Sequence, residues 1–413
     1  MRPLLVLSLA ALMVPAHAQE LAPRTPGGLP STELAQAWLQ QDPGVQEAAG
    51  GVEAAAHTAG MLRVSPNEWN LKLSSQRRRY PSGPDSGEWA AQLERTVRLP
   101  NKHSLDRRLA TSEGELARAV YGEAMHEAAR DLVDLYMQWA GAVRARELMA
   151  EQVKFGEENL RVVRLRQRAG DASGLEVNAV EADTAEIRGR LSNAVSEQRK
   201  ALAKLQIRFP GAETQALPLA EPETIGESEE AWEARILTTS DPLRIAQVQL
   251  ERAELTASRA RANRLPDPTI GLYTASEVYS NENLIGVSVT VPIPGRYRNY
   301  QLGRALGQVE MARAARDRQQ RIIEIEVAEA YADATGNFER WRLAEESAAK
   351  TRETARLTQR AYSLGEVDLQ TLLLSRRQAV ETVDSALDAR VIALKSYYRL
   401  LVDAHLVWGL EHT

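Results

Sequence analysis

The sequence predicts a mainly α-helical protein, written twice in one chain, with a small β part in each half. Three observations carry that reading. Two long stretches, Asn101–Phe209 and Gly295–Thr413, hold no proline and are rich in Ala, Glu, Arg, Leu and Gln. The second superposes on the first without a gap at an offset of 195 positions. Ahead of each stretch, apolar and polar residues alternate with the period of a strand.

The composition sets limits before any element is placed. Of 413 residues, 44% are hydrophobic and 26% charged, which excludes a disordered chain, and after the start no apolar run approaches the twenty or so residues a membrane helix needs. The absence of cysteine removes disulfides, thiolate metal sites, a cysteine nucleophile and an acylated N-terminal cysteine. The formal charge of -5 becomes -6 if Arg2 leaves with a leader, and acidic and basic residues are interspersed, so nothing asks for nucleic acid.

Residues 1–18 read as a signal peptide: the basic start Met1-Arg2-Pro3, an apolar core from Leu4 to Met13, and Ala16-His17-Ala18 as a small-x-small cleavage site before Gln19. A linker follows at 19–30. The first repeat, 31–209, opens with a helix in which Asp42-Pro43 reads as N-cap and first helical residue. A β-hairpin follows at about 67–99. Trp69, Leu71 and Leu73 alternate in one strand and Trp89, Ala91, Leu93, Val97 and Leu99 in the other, around the turn Pro81-Ser82-Gly83-Pro84-Asp85. A long helical hairpin then occupies about 103–208. A helix of about 60 residues is on the order of 90 Å long, so the molecule is elongated. Leu132, Tyr136, Trp139 and Val143 recur at the 4-3-4 spacing of coiled-coil packing.

Residues 210–228, with Pro210-Gly211, Pro218 and Pro222, read as a connector crossing the helices at mid-height. The second repeat, 229–413, restates the first. Ala231-Trp232 answers Ala37-Trp38, and Asp241-Pro242 answers Asp42-Pro43. The hairpin at about 267–294 sets Ile285, Val287, Val289 and Val291 against Gly286, Ser288 and Thr290, after Ile270-Gly271-Leu272-Tyr273 and a turn at Ser280-Asn281-Glu282-Asn283. The long helical hairpin covers about 298–408, with Val327, Tyr331, Ala334 and Phe338, then Leu387, Val391, Leu394, Tyr398 and Leu401, as its seams.

Each strand has roughly the nine to eleven residues of a tilted membrane strand, and Trp69, Trp89, Tyr273 and Tyr279 are the candidate membrane-interface aromatics. The competing reading is two surface hairpins with one face on a core. Four strands cannot close a barrel and an open edge is not tolerated in lipid, so the membrane reading requires several chains to share one barrel. Arg77-Arg78-Arg79 beside the first turn is either a site for lipid phosphates or a solvated loop.

This order, with a short helix ending in Pro66 or Pro266-Asp267-Pro268, a hairpin ending in Leu99-Pro100 or Val291-Pro292-Ile293-Pro294, a long helix, a glycine tip and a return helix, all duplicated, resembles the TolC-type outer-membrane factor family over nearly the whole mature chain. The resemblance implies a homotrimer with a periplasmic α-barrel and a shared 12-stranded outer-membrane β-barrel. It also implies docking to a periplasmic adaptor protein and an inner-membrane pump, with the proton-driven resistance-nodulation-division type as the candidate. Arg168, Ala169, Gly170, Asp171 and Ser173 resemble the family's first tip, and Tyr362, Leu364, Gly365 and Val367 are their counterparts, so these are the expected adaptor contacts. Thr371 and Leu374 stand where the best-known type carries aspartates, which leaves Glu366 and Asp368 as the candidate lumen constriction. Pro292–Asn299, with its Arg298-Asn299 pair, resembles the heavy-metal efflux branch and leans the cargo towards divalent metal cations.

Catalysis finds no support. His126-Glu127-Ala128-Ala129 begins like a zinc-protease helix, but Arg130 stands where the second histidine would be, so the second ligand is missing, and there is no nucleophile elbow or phosphate-cradling glycine loop. The six histidines form no ligand-spaced cluster, so no metal site and no cofactor are expected. Glu151 with Lys154 and Glu157 with Arg161 read as exposed pairs along one helix. The expectation is therefore a non-enzymatic exit duct of a tripartite efflux system. A periplasmic coiled-coil adaptor or scaffold and a type I protein-secretion exit are the alternatives.

Overall fold

A computed structural model describes residues 26–212 and 216–410; the signal peptide read at 1–18 and the first part of the linker read at 19–30 lie outside the described residues. The first half runs α1 (Thr32–Gln40), α2 (Pro43–Arg63), β1 (Asn70–Arg78), β2 (Ser86–Thr96), α3 (Pro100–Ala169) and α4 (Gly174–Arg208). The second repeats it as α5 (Glu229–Thr239), α6 (Asp241–Ala262), β3 (Thr269–Glu277), β4 (Glu282–Thr290), α7 (Arg296–Ser363) and α8 (Leu369–Asp403).

The single helix expected ahead of each hairpin is two helices. Proline has no N–H to continue a helix, so the chain breaks before Pro43 and restarts with Asp42 as N-cap, its carboxylate accepting from the N–H of Gly44 at 2.9 Å. In the second half the cap moves back one residue. Ser240 accepts from the N–H of Leu243 at 3.3 Å, which makes Asp241 the first helical residue rather than the cap. The turn of the second hairpin is also displaced: Glu282 and Asn283 belong to β4, and the chain reverses through Val278, Tyr279 and Ser280 at positive φ.

The long hairpins are asymmetric. α3 has 70 residues, about 105 Å of helix, whereas α4 has 35. The rest of α3 is flanked by α2, and the two shorter helices meet where Arg208, at the end of α4, reaches the Asp42 carboxylate at 2.9 Å. The second half has the same construction, with α7 (68 residues) flanked by α8 (35 residues) and α6, so the return helix stops at Asp403 instead of 408. α3 packs against the α2/α4 line and the α6/α8 line, with α7 beyond the latter. The flank of α2 and α4 and the flank of α7 lie at opposite sides of this layer.

The main core lies around the middle of α3. Leu132, Tyr136 and Trp139 are buried, as are Val327, Ala334, Leu387, Leu394, Tyr398 and Leu401, with Val143, Tyr331 and Val391 partly buried beside them. Trp38 and Leu39 of α1, Phe209 and Trp408 complete it. Each of these large side chains contributes about 1.5–3 kcal/mol by leaving water. The connector is tied across the helices by two tyrosines that are equivalent in the repeat: Tyr136 Oη accepts from the N–H of Leu217 at 3.2 Å and Tyr331 Oη donates to the Glu227 carbonyl at 3.1 Å. Arg390 donates to the carbonyls of Leu219 and Ala220.

Close helix approach has one sharp instance. A Cβ on Gly141 of α3 would stand 2.8 Å from Val391 Cγ2 of α8. Gly141→Val should destabilise the protein by about 1–3 kcal/mol through overpacking. Val391→Ala should relieve that loss in a double variant, as read by thermal unfolding.

The exposed pairs rearrange. Glu157 joins Arg188 of α4 at 2.7 Å and Arg161 turns to Glu158, so the expected pairing of Glu157 with Arg161 gives way to one that ties the two helices of the hairpin together.

Candidate functional site

The four strands form one antiparallel sheet in the order β1-β2-β3-β4, so β2 and β3 join the two repeats while β1 and β4 are open edges. Residues directly opposite in register share a face. Leu71, Leu93, Leu272 and Val287 form one such row, and Leu73, Ala91, Thr274 and Ile285 the next. Leu71, Leu73, Leu272, Ile285, Val287 and Val289 on this apolar face are all exposed, Ile285 at 87%. The opposite face is polar and cross-linked. Lys72 pairs with Glu94 at 2.5 Å, Gln92 donates to Ser288 Oγ at 3.1 Å, and Thr96 and Thr269 share a hydroxyl hydrogen bond at 2.7 Å.

Trp69, one residue before β1, and Trp89 in β2 fall on the apolar face and are exposed. Tyr273 does not. Its register puts it on the polar face against Gly286, where a Cβ would stand 2.5 Å from its ring, so it departs from the expected aromatic belt. Tyr279 lies in the β3–β4 turn, stacked on Tyr80 with ring centroids 5.7 Å apart and donating to the Pro84 carbonyl, and so joins the two hairpin turns. The arginine run is neutralised by the protein itself: Arg77 pairs with Asp85 at 3.1 Å, and Arg78 with Glu88 at 3.1 Å and Glu277 at 3.3 Å. Arg77 and Arg78 thus belong to strand β1, with carboxylate partners of their own, which favours the solvated reading of the run over a phosphate site.

Sequence reasoning missed the charged knot where strands pass to helices. Lys102 is 1% exposed and its Nζ lies 2.9 Å from Asp267 Oδ1, which also accepts from the N–H of Leu99. Asp106 is held between Arg98 at 2.9 Å and Arg259 at 2.7 Å. The knot couples the start of α3 to the segment entering β3 and to the end of α6, so it fixes the angle between sheet and helices. Pro266-Asp267-Pro268 was the one visible signal, because an acid between two prolines has little freedom to point elsewhere.

At the far end, α3 finishes at Gly170 in the left-handed region (φ 85°), with the N–H groups of Gly170 and Asp171 returning to the carbonyls of Gln167 and Arg166. Ser173 then opens α4 with a reciprocal capping box to Glu176. The second tip turns at Gly365 (φ 80°), with the Glu366 N–H returning to Ala361 and the Asp368 carboxylate capping α8 at Thr371 N, 2.7 Å. Arg168, Ala169, Gly170, Asp171, Ser173, Leu364, Gly365, Glu366 and Asp368 are all exposed. Tyr362 is buried and Val367 half-buried, in a small core with Val163, Val177 and Leu372. Arg166 donates to Tyr362 Oη at 2.8 Å, so Tyr362 ties the two tips together rather than offering a docking surface. Asp368 spends one carboxylate oxygen on its helix, and the hydrogen bond to Thr371 N holds its pKa below the ordinary carboxylate value.

The fold brings together residues that linear spacing keeps apart. His126 of α3, Asp241 at the start of α6 and His405 just beyond α8 are all buried, and one potential ligand atom from each lies within 4.8 Å of the others. The imidazole centroids are 5.1 Å apart, edge to face. Asp403 Oδ1 stands 3.3 Å from His126 Nε2 and accepts from Arg130 Nε at 2.7 Å, while Glu123 Oε2 is 3.8 Å from His126 Nδ1. Burial is the largest influence on His126 and Asp403 and opposes their charges. The neighbours outweigh it: Asp403 and Glu123 raise His126 above the usual imidazole value, and His126 and Arg130 hold Asp403 below the usual carboxylate range.

The fold has close counterparts among solved structures. The outer membrane protein VceC from Vibrio cholerae superposes with a TM-score of 0.71 at 16% identity, covering 90% of this chain and 95% of that one. The Campylobacter jejuni CmeC outer membrane channel gives 0.67 at 15% identity, covering 92% and 85%. CusC, described in terms of folding and transmembrane channel formation, gives 0.67 at 17% identity, covering 94% and 95%. No protein-family model and no curated protein matches the chain.

Proposed function

We propose that this chain, whose fold is that of TolC-type outer-membrane channels, is a non-enzymatic exit duct that spans the outer membrane as a homotrimer and conducts solutes delivered by an inner-membrane pump. The observation that carries the reading is the sheet: one exposed apolar face, one cross-linked polar face, and two open edges. Lipid accepts the first face, a water-filled lumen suits the second, and only pairing β4 of one copy with β1 of the next satisfies the edges. The helical layer agrees, since it too has two flanks, with Ile207 of α4 exposed on one and Met311 and Ile325 of α7 on the other.

In this reading Trp69 and Trp89 sit at the lipid interface. The exposed tip residues around Gly170 and Gly365 meet a periplasmic adaptor, and Glu366 and Asp368 face one another across the trimer axis. The alternative of a periplasmic scaffold leaves the exposed apolar face of the sheet without a purpose. The lean towards divalent metal cations rests on the Pro292–Asn299 passage. Of the three channels compared, CusC alone stands for that branch, and its 17% identity exceeds that of VceC by one point and that of CmeC by two.

The test is fractionation with a paired substitution. Wild-type protein should sediment with outer membranes and run as a trimer in detergent. Leu71→Arg or Val287→Arg on the apolar face should each cost about 2–4 kcal/mol at the bilayer midplane and deplete the outer-membrane fraction. Ser74→Arg on the polar face should leave it nearly unchanged. A soluble periplasmic monomer, or equal tolerance of arginine on both faces, would refute the duct.

A further inference from the structure

We propose that His126, His405 and Asp241 form a structural divalent-cation site, with Zn2+ the best-matched ion, that fastens the joint between α8, α6 and α3. The inference goes beyond the duct: the site lies in the helical layer, away from the sheet and the tips, and its role is independent of the solute the protein conducts.

Donor chemistry comes first. Two imidazoles and one carboxylate are a familiar nitrogen and oxygen set for zinc, which binds them at about 2.0–2.2 Å. Tetrahedral ligands at that length stand about 3.3 Å apart. His405 Nε2 and Asp241 Oδ2 are 3.9 Å apart, and all three donors lie within 4.8 Å of one another, so small side-chain rotations would close the set. His405 and Asp241 also have other contacts within the protein, and a bound ion would re-order these rather than fill a void.

The surroundings match what a ligating histidine requires. Its second ring nitrogen usually faces a carboxylate that orients it. His126 has one on each side, Glu123 near Nδ1 and Asp403 near Nε2, and neither ring nitrogen makes a geometrically sound hydrogen bond. Whichever nitrogen takes the ion, the other has its support.

Backbone geometry supplies an independent observation. His405 occupies the position after the α8 cap in the left-handed region (φ 56°), with its N–H returning to Val402 and that of Leu406 to Leu401. Glycine is the residue that favours this position, and a buried histidine there accepts strain in order to place its ring. Among the described residues the other joint of the duplicated fold has no such cluster, and there Arg208 meets Asp42 and Asp131 directly. The architecture therefore does not demand histidines at this place.

The test uses the mature trimer in detergent, purified without a polyhistidine tag and stripped with a chelator. Zn2+ titrated by calorimetry should bind at one tight site per protomer. Re-addition of Zn2+ should raise the thermal midpoint, and Co2+ in its place should give the visible absorption of a low-coordinate nitrogen and oxygen site. His126→Gln, His405→Gln and Asp241→Asn should each weaken Zn2+ binding more than tenfold and abolish the Co2+ spectrum while trimers persist. His57→Gln and His103→Gln, remote controls, should change neither. Failure of the wild-type trimer to bind Zn2+, or equal binding by the His126 and His405 variants, would overturn the site. If a variant fails to fold, the wild-type Co2+ spectrum decides alone, because an octahedral spectrum without imidazole ligation also refutes it.

Discussion

In the proposed exit duct, valine at Gly170 or at Gly365 should end export while leaving trimers intact. Both glycines sit in the left-handed region at exposed tips, and among the described residues no atom beyond the glycine and its chain neighbours lies within 4 Å of where a Cβ would be. The obstacle is therefore conformational: a β-branched residue there costs roughly 1–2 kcal/mol and pushes the turn towards another shape. That loss is small for a chain whose main core lies far away around Tyr136 and Trp139, so assembly should persist. An adaptor resting on the tip would feel both the altered turn and the added bulk. Growth of cells that depend on this channel in the presence of a pumped toxic solute, with trimers assayed on mild gels, separates the two effects. Undiminished growth would show that the tips do not dock.

Asp267→Ala should be the most destabilising single change, at about 3–5 kcal/mol. It would leave the Lys102 ammonium buried without its counter-charge and take an acceptor from the Leu99 N–H. Removing both charges, as Lys102→Met with Asp267→Leu, should recover most of the loss, because apolar residues of similar volume can replace a buried ion pair. Thermal melting of the detergent-solubilised protein reads both. A double variant as unstable as Asp267→Ala would mean that the knot depends on the hydrogen bond to Leu99 more than on the charge.

Much of this architecture was legible because duplication repeats every signal. Pro100 and the long proline-free run fixed α3, Gly170 and Gly365 fixed the tips, and alternation fixed the hairpins. Where a local competitor existed, positions slipped. Ser240 took the cap expected of Asp241 because its hydroxyl also reaches the third N–H of the helix. Tyr273 could have been placed correctly, since it alternates with Ile270 and Leu272 in the wrong phase for their face, yet its size drew it into the aromatic belt. The division of labour at the tip was not legible, because Tyr362 is buried in a core shared with Val163 and Val177 of the other hairpin and bonded to its Arg166. Nor were the histidines. His126 and His405 stand at far separated places in the chain and meet through the return of α8 onto α3, a contact without a local periodicity to announce it.

The open edges of β1 and β4 have a genetic corollary. If each ring is sewn by one type of seam, used once by every member, a single faulty copy leaves two bad stitches and no way to exclude itself. A damaged allele of this gene, expressed beside a sound one, should therefore be dominant, spoiling rings out of proportion to its dose. A channel whose barrel closes within one polypeptide would show simple loss instead.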